Sequence, residues 1–294
     1  MLTVGLIGAG RIGRVHASTI VQDEGSQLVA VADSVDENAK NLAKLYKVNP
    51  RSVDAIFEDN SIEAILIASS TDTHSDFIEK ASKAGKAILC EKPVDLSLAR
   101  AKRCLENTKS NEHLIMMGFN RRFDPNFVAL KKALDGGEIG TAELLSITSF
   151  DPAPPPIDYV KVSGGIFKDM MIHDFDMANF LYGDLPKSVF VSASAIIDKK
   201  IGALGDYDTA VATLKYRDGR LAVIKNSRRA TYGYDQRIEV LGSKGLLQVQ
   251  NMVENSMVKS TEMGVESSKP EYFFLERYKS AYQNEWTAFV TAVK

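Results

Sequence analysis

Three ionisable residues interrupt the largely apolar segment GGIFKDMMIHDFD at positions 164–176. Asp169, His173 and Asp176 are four and then three positions apart, so they share one face if the segment is helical. The residues between them are mostly apolar, which predicts that the helix is largely buried. An imidazole titrates near neutral pH and suits a general base, and a carboxylate one turn away can fix its tautomer or hold a substrate hydroxyl. The segment therefore predicts acid–base chemistry centred on His173.

Two other interpretations of this row stay open on residue types alone. A single buried histidine is commonly a core residue whose nitrogens are bonded by its neighbours. Carboxylates together with an imidazole can also bind a divalent metal. No second ligand cluster accompanies the row, because His16, His74 and His113 all lie in the first half of the chain. A metal is therefore not predicted.

A lysine supplies the second chemical signal. Lys92 follows the apolar run AILC and Glu91 in the stretch AILCEKPVD. In an open α/β sheet, ligands bind beyond the carboxyl ends of the strands, so a lysine at such an end faces the cleft. Its charge can stabilise the alkoxide that develops when an alcohol is oxidised. The alternative is an exposed lysine that pairs with Glu91.

A glycine-rich turn predicts the oxidant. In GLIGAGRIG, Gly8, Gly10 and Gly13 stand between a predicted strand and a predicted helix. These glycines permit a tight turn, a close approach of backbone amides to a pyrophosphate, and close packing of the helix on the strand. Asp33 follows about 20 residues later, where a carboxylate can bind ribose hydroxyls and repel a 2′-phosphate. Because Ser34 adds no positive charge, NAD is predicted rather than NADP.

The elements that must position these residues follow from hydrophobic alternation. Through residue 121, short apolar runs alternate with segments of helical spacing, a pattern typical of a doubly wound parallel sheet with both faces covered. The runs are Thr3–Ile7, Leu28–Ala32, Ala64–Ala68, Ala87–Cys90 and Leu114–Met117. We therefore predict an α/β protein in which residues 1–121 form an NAD-binding Rossmann domain.

Residues 122–294 are predicted to form a substrate-binding α/β domain with a large, mostly antiparallel open sheet. A helix over Pro125–Leu134 precedes longer alternating stretches, and RDGR at 217–220 indicates a hairpin. The proline-rich DPAPPPIDY at 151–159 is predicted to be a stiff loop. The predicted strands are Ala142–Phe150, Ser188–Ile197, Ala210–Tyr216, Leu221–Ser227 and Ile238–Gly242.

Composition excludes several classes of function. The 294 residues carry a net charge of -2, so no strongly basic face is available for nucleic acid or a membrane surface. The N-terminal apolar run is too short to span a bilayer and lacks the basic leader and cleavage site of a signal peptide. The two cysteines, Cys90 and Cys104, require no disulfide framework, which suits a cytoplasmic protein.

Four motifs resemble the Gfo/Idh/MocA oxidoreductases, a family named for glucose–fructose oxidoreductase and inositol dehydrogenase. They are GLIGAGRIGRVH, CEKP, GFNRRFDP and GGIFKDMMIHDFDMANFLYG, in that order. The stretch DPAPPPIDYVKVSGGIFKDMMIHDFD, taken with GFNRRFDP, is similar to the inositol 2-dehydrogenase branch. The resemblance implies that the open sheet of the second domain mediates dimers and tetramers, so a homotetramer is expected. It also implies a C-terminal tail beyond the end of this chain, with the last segment packed back on the Rossmann domain.

The resemblance also assigns site residues. Lys92 matches the E-K-P lysine, and Asp169 with His173 match the Asp-x-x-x-His pair in which the histidine transfers the proton. Asp176 belongs to the family pattern and is interpreted as supporting. Cofactor contacts are expected from Gly8, Gly10, Arg11, Ile12, Gly13, Asp33, Ser34, Ser70, Thr71, His74, Glu91 and Lys92. Polyol contacts are expected from Lys92, Asn120, Arg122, Asp151, Asp169, His173 and Tyr232.

The predicted function is NAD-dependent oxidation of myo-inositol to 2-keto-myo-inositol (scyllo-inosose), with His173 as general base. A sibling dehydrogenase for scyllo-inositol, chiro-inositol or a pyranose sugar is the alternative, because the lysine, aspartate and histidine are common to all of these. Discrimination is expected in the loop between Asp151 and Val162 and in RRATYGYD at 228–235. A more remote alternative is an NAD-sensing protein without catalysis, which should have lost Lys92 or His173.

Overall fold

The computed structural model describes all 294 residues and divides the chain into two compact units. The first unit contains Met1–Asn120 together with Ala281–Lys294, and the second contains Arg121–Ser280. None of the helices in either unit is both long and apolar enough to cross a membrane.

The first unit is a six-stranded parallel sheet with the strand order β3-β2-β1-β4-β5-β6. Its strands span Leu2–Ile7 (β1), Ser26–Ala32 (β2), Asn49–Pro50 (β3), Ala64–Ile67 (β4), Ala87–Glu91 (β5) and Ile115–Gly118 (β6). Its connecting helices span Arg11–Gln22 (α1), Asp36–Tyr46 (α2), Val53–Glu58 (α3), His74–Lys83 (α4) and Leu98–Thr108 (α5). This order is that of the dinucleotide-binding fold, so the predicted doubly wound parallel sheet is confirmed.

Both faces of this sheet are covered, which explains why its strands consist of apolar runs. Leu6 of β1 belongs to one buried cluster, and its neighbour Ile7 belongs to the cluster on the other face. The final helix, Lys279–Val293, adds Trp286 and Phe289 to the first cluster, and the Trp286 indole donates a hydrogen bond to Ser26 Oγ at 2.8 Å. The chain thus returns to the first unit to complete its core.

The second unit contains a six-stranded sheet with the order β12-β11-β7-β10-β9-β8 and a separate hairpin, β13-β14. The pair β7–β10 is parallel and the other pairs are antiparallel, which confirms the predicted mostly antiparallel sheet. The strands span Ala142–Phe150 (β7), Ser188–Ser194 (β8), Thr209–Lys215 (β9), Leu221–Ser227 (β10), Asp235–Gly242 (β11), Gly245–Val249 (β12), Val258–Thr261 (β13) and Gly264–Ser267 (β14). The helices span Pro125–Asp135 (α6), Ile157–Ser163 (α7), Ile172–Tyr182 (α8), Lys199–Ala203 (α9) and Phe274–Arg277 (α10).

Two sequence predictions in this unit were wrong in detail. The predicted loop at 151–159 ends earlier, because α7 begins at Ile157 directly after its N-cap residue Pro156, a position at which the missing N–H of proline removes no helix hydrogen bond. The strand predicted over Ser188–Ile197 ends at Ser194. Beyond that point the carboxylate of Asp208 accepts hydrogen bonds from the amides of residues 196, 197 and 198 at 2.8–3.0 Å, which turns the chain away from the sheet.

Candidate functional site

The β1–α1 turn is shaped by three glycines with different constraints. Gly8 has φ +104°, and a Cβ there would lie 2.3 Å from the carbonyl oxygen of Ala68. A Cβ on Gly13 would lie 1.9 Å from the carbonyl oxygen of Gly8. No atom lies within 4 Å of a Cβ built on Gly10, which precedes the first turn of α1. Gly8 and Gly13 are therefore required by the fold, and Gly10 leaves room at a helix N-terminus for a pyrophosphate.

Asp33 lies at the carboxyl end of β2, beside the glycine turn. Its Oδ2 accepts a hydrogen bond from the Ala9 amide at 2.6 Å, and its Oδ1 accepts one from the Val35 amide at 2.8 Å. Ser34 beside it is exposed, and the first turn of α2 adds two more acidic side chains. A carboxylate in acidic surroundings favours ribose hydroxyls over a 2′-phosphate, so the local chemistry fits NAD.

His74 and Glu91, two residues predicted to contact the cofactor, make side-chain contacts with other residues of the protein. The buried His74 ring lies between two loops, with Nδ1 2.8 Å from the Pro93 carbonyl oxygen and Nε2 3.1 Å from that of Ser69. Glu91 Oε1 lies 2.7 Å from Nε2 of the buried His16. These contacts hold the segments after β4 and β5 in place, and a direct role at the cofactor stays a prediction.

The remaining cofactor candidates lie at the carboxyl edge of the sheet, where ligands of such folds bind. Arg11 and Ile12 form the first turn of α1. Ser70 and Thr71 follow β4 at a short 3₁₀ turn, and Lys92 follows β5. Their positions agree with a cofactor edge, and their individual contacts stay predictions.

In the second unit, the segment with the acid–base residues is not one regular helix. Phe167–Met171 forms a π-helical turn, and His173 lies in the first turn of α8. A π-helical turn inserts an extra residue into the helix and is frequent at functional sites. Asp169, inside this turn, accepts a hydrogen bond from the Tyr159 hydroxyl at Oδ1 (2.8 Å), and its Oδ2 lies 3.6 Å from Nη1 of Arg228.

The third member of the predicted row has separate partners. Arg122 donates from Nε and Nη2 to the two carboxylate oxygens of Asp176, at 2.8 and 2.6 Å. The Arg122 guanidinium also stacks on Phe180, with its carbon 5.3 Å from the ring centroid. Asp176 is therefore tied to the chain segment that precedes α6, in agreement with a supporting role.

A buried polar network beneath α8 was missed by the sequence reasoning. Arg121 donates to Asp174 Oδ1 at 2.6 Å and to Ser149 Oγ at 3.1 Å. Asn226 donates to Asp174 Oδ2 at 2.7 Å, and Ser149 donates to Gln236 Oε1 at 2.7 Å. Asp174 directly follows His173, so this network fixes the start of α8 on the sheet. The only available signal was the first arginine in GFNRRF, Arg121, beside the selected Arg122.

The proposed polyol residues of this unit differ in their surroundings. Desolvation, reinforced by the nearby Asp169 charge and opposed by Arg228, raises the pKa of Asp151 to about 7. The half-exposed Tyr232 donates to Asp235 Oδ2 at 2.5 Å, and burial together with this bond raises its pKa to about 12. Asn120, the last residue of the first unit, is buried. Asp151 can therefore donate or accept near neutral pH, whereas the hydroxyl proton of Tyr232 is committed to Asp235.

Comparison with known proteins places this chain in a family. Residues 2–119 match the model of an oxidoreductase family with an NAD-binding Rossmann fold, and residues 127–248 match the GFO/IDH/MocA C-terminal domain. An inositol 2-dehydrogenase of Rhizobium meliloti is 49% identical over 99% of this chain and 88% of its own. A myo-inositol 2-dehydrogenase of Thermotoga maritima is 45% identical over 100% of this chain and 88% of its own.

Solved structures agree over the whole chain. A myo-inositol dehydrogenase from Corynebacterium glutamicum superposes with a TM-score of 0.96 at 41% identity, covering 100% of this chain and 88% of that one. A myo-inositol dehydrogenase from Lactobacillus casei, in complex with NAD(H) and myo-inositol, gives a TM-score of 0.89 at 26% identity, covering 100% and 86%. This chain therefore belongs to the Gfo/Idh/MocA oxidoreductase family, and its first unit is an NAD-binding Rossmann fold.

Proposed function

We propose that this protein is an NAD-dependent inositol 2-dehydrogenase that oxidises myo-inositol to 2-keto-myo-inositol. The observation that carries the proposal is chain-long identity of 49% to an inositol 2-dehydrogenase, in a chain that retains Lys92, Asp169 and His173. Retention of all three argues against an NAD sensor, because a sensor has no need of them.

The protein's residues divide the chemistry between them. NAD, when bound, supplies the acceptor for the hydride. His173 removes the proton from the reacting hydroxyl, and Asp169 holds that hydroxyl region and stabilises the imidazolium. Lys92 stabilises the developing alkoxide by its charge. The 2.8 Å Tyr159–Asp169 hydrogen bond supports a positioned carboxylate in this role.

Asp151 is proposed as a polyol contact. A hydroxyl group both donates and accepts hydrogen bonds, and a carboxyl group that titrates near pH 7 can match either direction. Asn120, Arg122 and Tyr232 are proposed contacts on the strength of the family resemblance. A site with many paired donors and acceptors rejects analogues that lack a hydroxyl.

The test is the initial rate of NADH formation by the purified protein with NAD. The substrates are myo-, scyllo- and D-chiro-inositol, glucose and xylose, each repeated with NADP. Preference for myo-inositol with NAD supports the proposal. Preference for another polyol assigns the chain to a sibling activity with the same chemistry, and NAD binding without turnover of any polyol overturns the enzymatic proposal.

We further propose that the protein is a cytoplasmic homo-oligomer, with a tetramer favoured. Four leucines on paired positions cross the open face of the second unit's sheet, and each is 38–46% exposed. They are Leu246, Leu241, Leu144 and Leu221. In this proposal a second copy of the chain packs against this apolar row. Leu144→Glu is expected to lower the mass measured by light scattering, and a wild-type monomer would contradict the proposal. Two free, buried cysteines agree with a reducing compartment.

A further inference from the structure

Arg228 lies directly after β10 and is 1% exposed. Its amide donates to the Asp208 carbonyl oxygen at 2.8 Å, which fixes its backbone. Its guanidinium has Nη1 3.6 Å from Asp169 Oδ2 and Nη2 3.8 Å from Asp206 Oδ2. Both distances exceed a normal hydrogen bond, so the attraction is that of charges in a desolvated space.

Some N–H groups of the Arg228 guanidinium have no hydrogen-bond acceptor. Nε and Nη2 of Arg228 have no hydrogen-bond partner, although buried guanidinium groups normally bond most of their five N–H groups. Asp206 is similar: its Oδ1 accepts from the Ile166 amide at 2.9 Å, and its Oδ2 has no hydrogen-bond partner. A buried arginine held by charge alone is costly for stability, so a purely structural purpose explains it poorly.

The carboxylates around Arg228 come from three separate elements. Asp151 follows β7, Asp169 lies in the π-helical turn before α8, and Asp206 follows α9. Arg228 lowers the pKa of Asp151, against desolvation and the charge of Asp169, which both raise it. Arg121 acts on Asp151 in the same direction as Arg228, and Asp174 acts in the opposite one. The Arg228 guanidinium thus interacts electrostatically with three carboxyl groups, two of which, those of Asp151 and Asp169, belong to the proposed substrate site.

We propose that Arg228 is a positioning residue for the dehydrogenase reaction. It holds the Oδ2 edge of Asp169, while Tyr159 holds the Oδ1 edge, and Asp206 anchors Arg228 to the backbone of Ile166 at the start of the π-helical turn. This inference rests on the proposed function, because the acids that it positions are those assigned to the polyol. Arg228 itself acts through Asp169 and Asp151.

The experiment compares Arg228→Met, Arg228→Lys and the matched control Arg217→Met, which makes the same change at an exposed position in the turn between β9 and β10. Steady-state kinetics with NAD and myo-inositol are measured below the melting temperature of each variant. Arg228→Met is expected to lower kcat by about 10²-fold, the scale of a misplaced reacting group. Arg228→Lys retains the charge and recovers part of the loss, and Arg217→Met stays within about twofold, with NAD affinity unchanged throughout.

Two further measurements separate positioning from mere stabilisation. Loss of Arg228 raises the pKa of Asp151, so the carboxyl titration followed by carbon-13 NMR shifts upward in Arg228→Met and is unchanged in Arg217→Met. In crystal structures, the Asp169–Tyr159 hydrogen bond is expected to persist in Arg217→Met and to be lost in Arg228→Met. If Arg228→Met does not fold, Arg228→Lys and Asp206→Asn carry the same comparisons.

The outcomes distinguish this inference from the proposed function. If Arg228→Met has the same kinetics and the same Asp169 geometry as Arg217→Met, the positioning role is overturned while the dehydrogenase proposal stands. A wild-type protein that oxidises no polyol overturns the proposed function. In that case the titration and the crystal structures still decide whether Arg228 organises these acids. The inference then also fails if Asp169 keeps its place in Arg228→Met.

Discussion

The cofactor turn of the first unit and the acid–base segment of the second are held in place by different kinds of interaction. Gly8 and Gly13 shape the turn through backbone approaches that exclude any side chain. Asp169 and His173 instead stand on a helical segment that is held by buried charged side chains, with Asp174 bound to Arg121 beneath it. The cofactor turn, whose shape is set by close backbone approaches, tolerates few residue types at a few positions. The acid–base segment, which is held by ion pairs, depends on partners that are distant in sequence.

The largest effect is expected at the acid–base segment itself. His173→Ala should lower kcat by about 10²–10⁴-fold, the range for loss of a general base, while NAD affinity measured by fluorescence titration stays near wild type. His113→Ala is the control, because it removes an exposed histidine from the first unit. Near-normal turnover by His173→Ala would remove His173 from the mechanism.

Breaking the network below α8 tests whether the second unit depends on buried charge. Asp174 and Arg121 are both buried, so Asp174→Ala leaves an uncompensated guanidinium and should lower the free energy of unfolding by about 3–5 kcal/mol. The measurement is chemical denaturation. Asp158→Ala, which removes the exposed Asp158–Lys161 pair, should change nothing measurable. Equal behaviour of the two variants would contradict the dependence of the second unit on buried charge.

One buried acid in the first unit, Glu285, is an exception to the contrast between a turn shaped by backbone and a segment held by buried charge. Both carboxylate oxygens of Glu285 are buried without a hydrogen-bond partner, and desolvation together with Glu91 raises its pKa well above the ordinary value. The folded state therefore binds this proton more tightly than the unfolded state does, and stability falls as pH rises above the unfolded pKa of about 4.3.

Glu285→Gln removes this titration. The variant should melt at a higher temperature than wild type at pH 8, and the difference should shrink as the pH falls through about 4.3 toward about 3, because the wild-type carboxyl group is then largely protonated in both states. The measurement is a series of thermal unfolding curves across that pH range. A difference in melting temperature that is independent of pH would show that Glu285 does not carry the effect.

The smallest expected effect separates the two roles of the glycines. Gly10→Ala should leave stability unchanged, since no atom lies within 4 Å of the added methyl group, but should weaken NAD binding by roughly tenfold, about 1.4 kcal/mol. Gly13→Ala is the matched change at a position where the methyl group would meet the Gly8 carbonyl oxygen, so it should lower stability. Unchanged NAD affinity in Gly10→Ala would contradict a pyrophosphate at this turn.

Sequence alone predicted the parts of the molecule that are encoded locally. The glycine turn, Asp33 at the end of β2 and the apolar strands of the parallel sheet are set by residues close in sequence, and their predicted strand bounds differ from the observed ones by one or two residues. The hairpin at RDGR is confirmed by β9 and β10, with Gly219 at φ +96°.

The parts that sequence could not predict depend on tertiary partners. The row of Asp169, His173 and Asp176 was expected from α-helical spacing, which indicated neither the π-helical turn that contains Asp169 nor the pairing of Asp176 with Arg122. Arg121 and Arg122 are adjacent and chemically identical, and only the packed sheet determines that Arg121 is the buried one. Asp208 similarly ends β8 from a position 14 residues beyond its last residue, Ser194.

The position of the final helix also affects the order in which the molecule can be completed during synthesis. A ribosome that has produced residues 1–120 has made all six strands of the parallel sheet, but not Trp286, Phe289 or Val290, which cover part of one of its faces. Domains usually fold in the order of their synthesis, from the N-terminus. Here the nascent cofactor unit must keep part of an apolar face uncovered until residues 281–294 have followed the intervening 121–280 segment. The second unit, whose synthesis begins later, is thus the first that can complete its core.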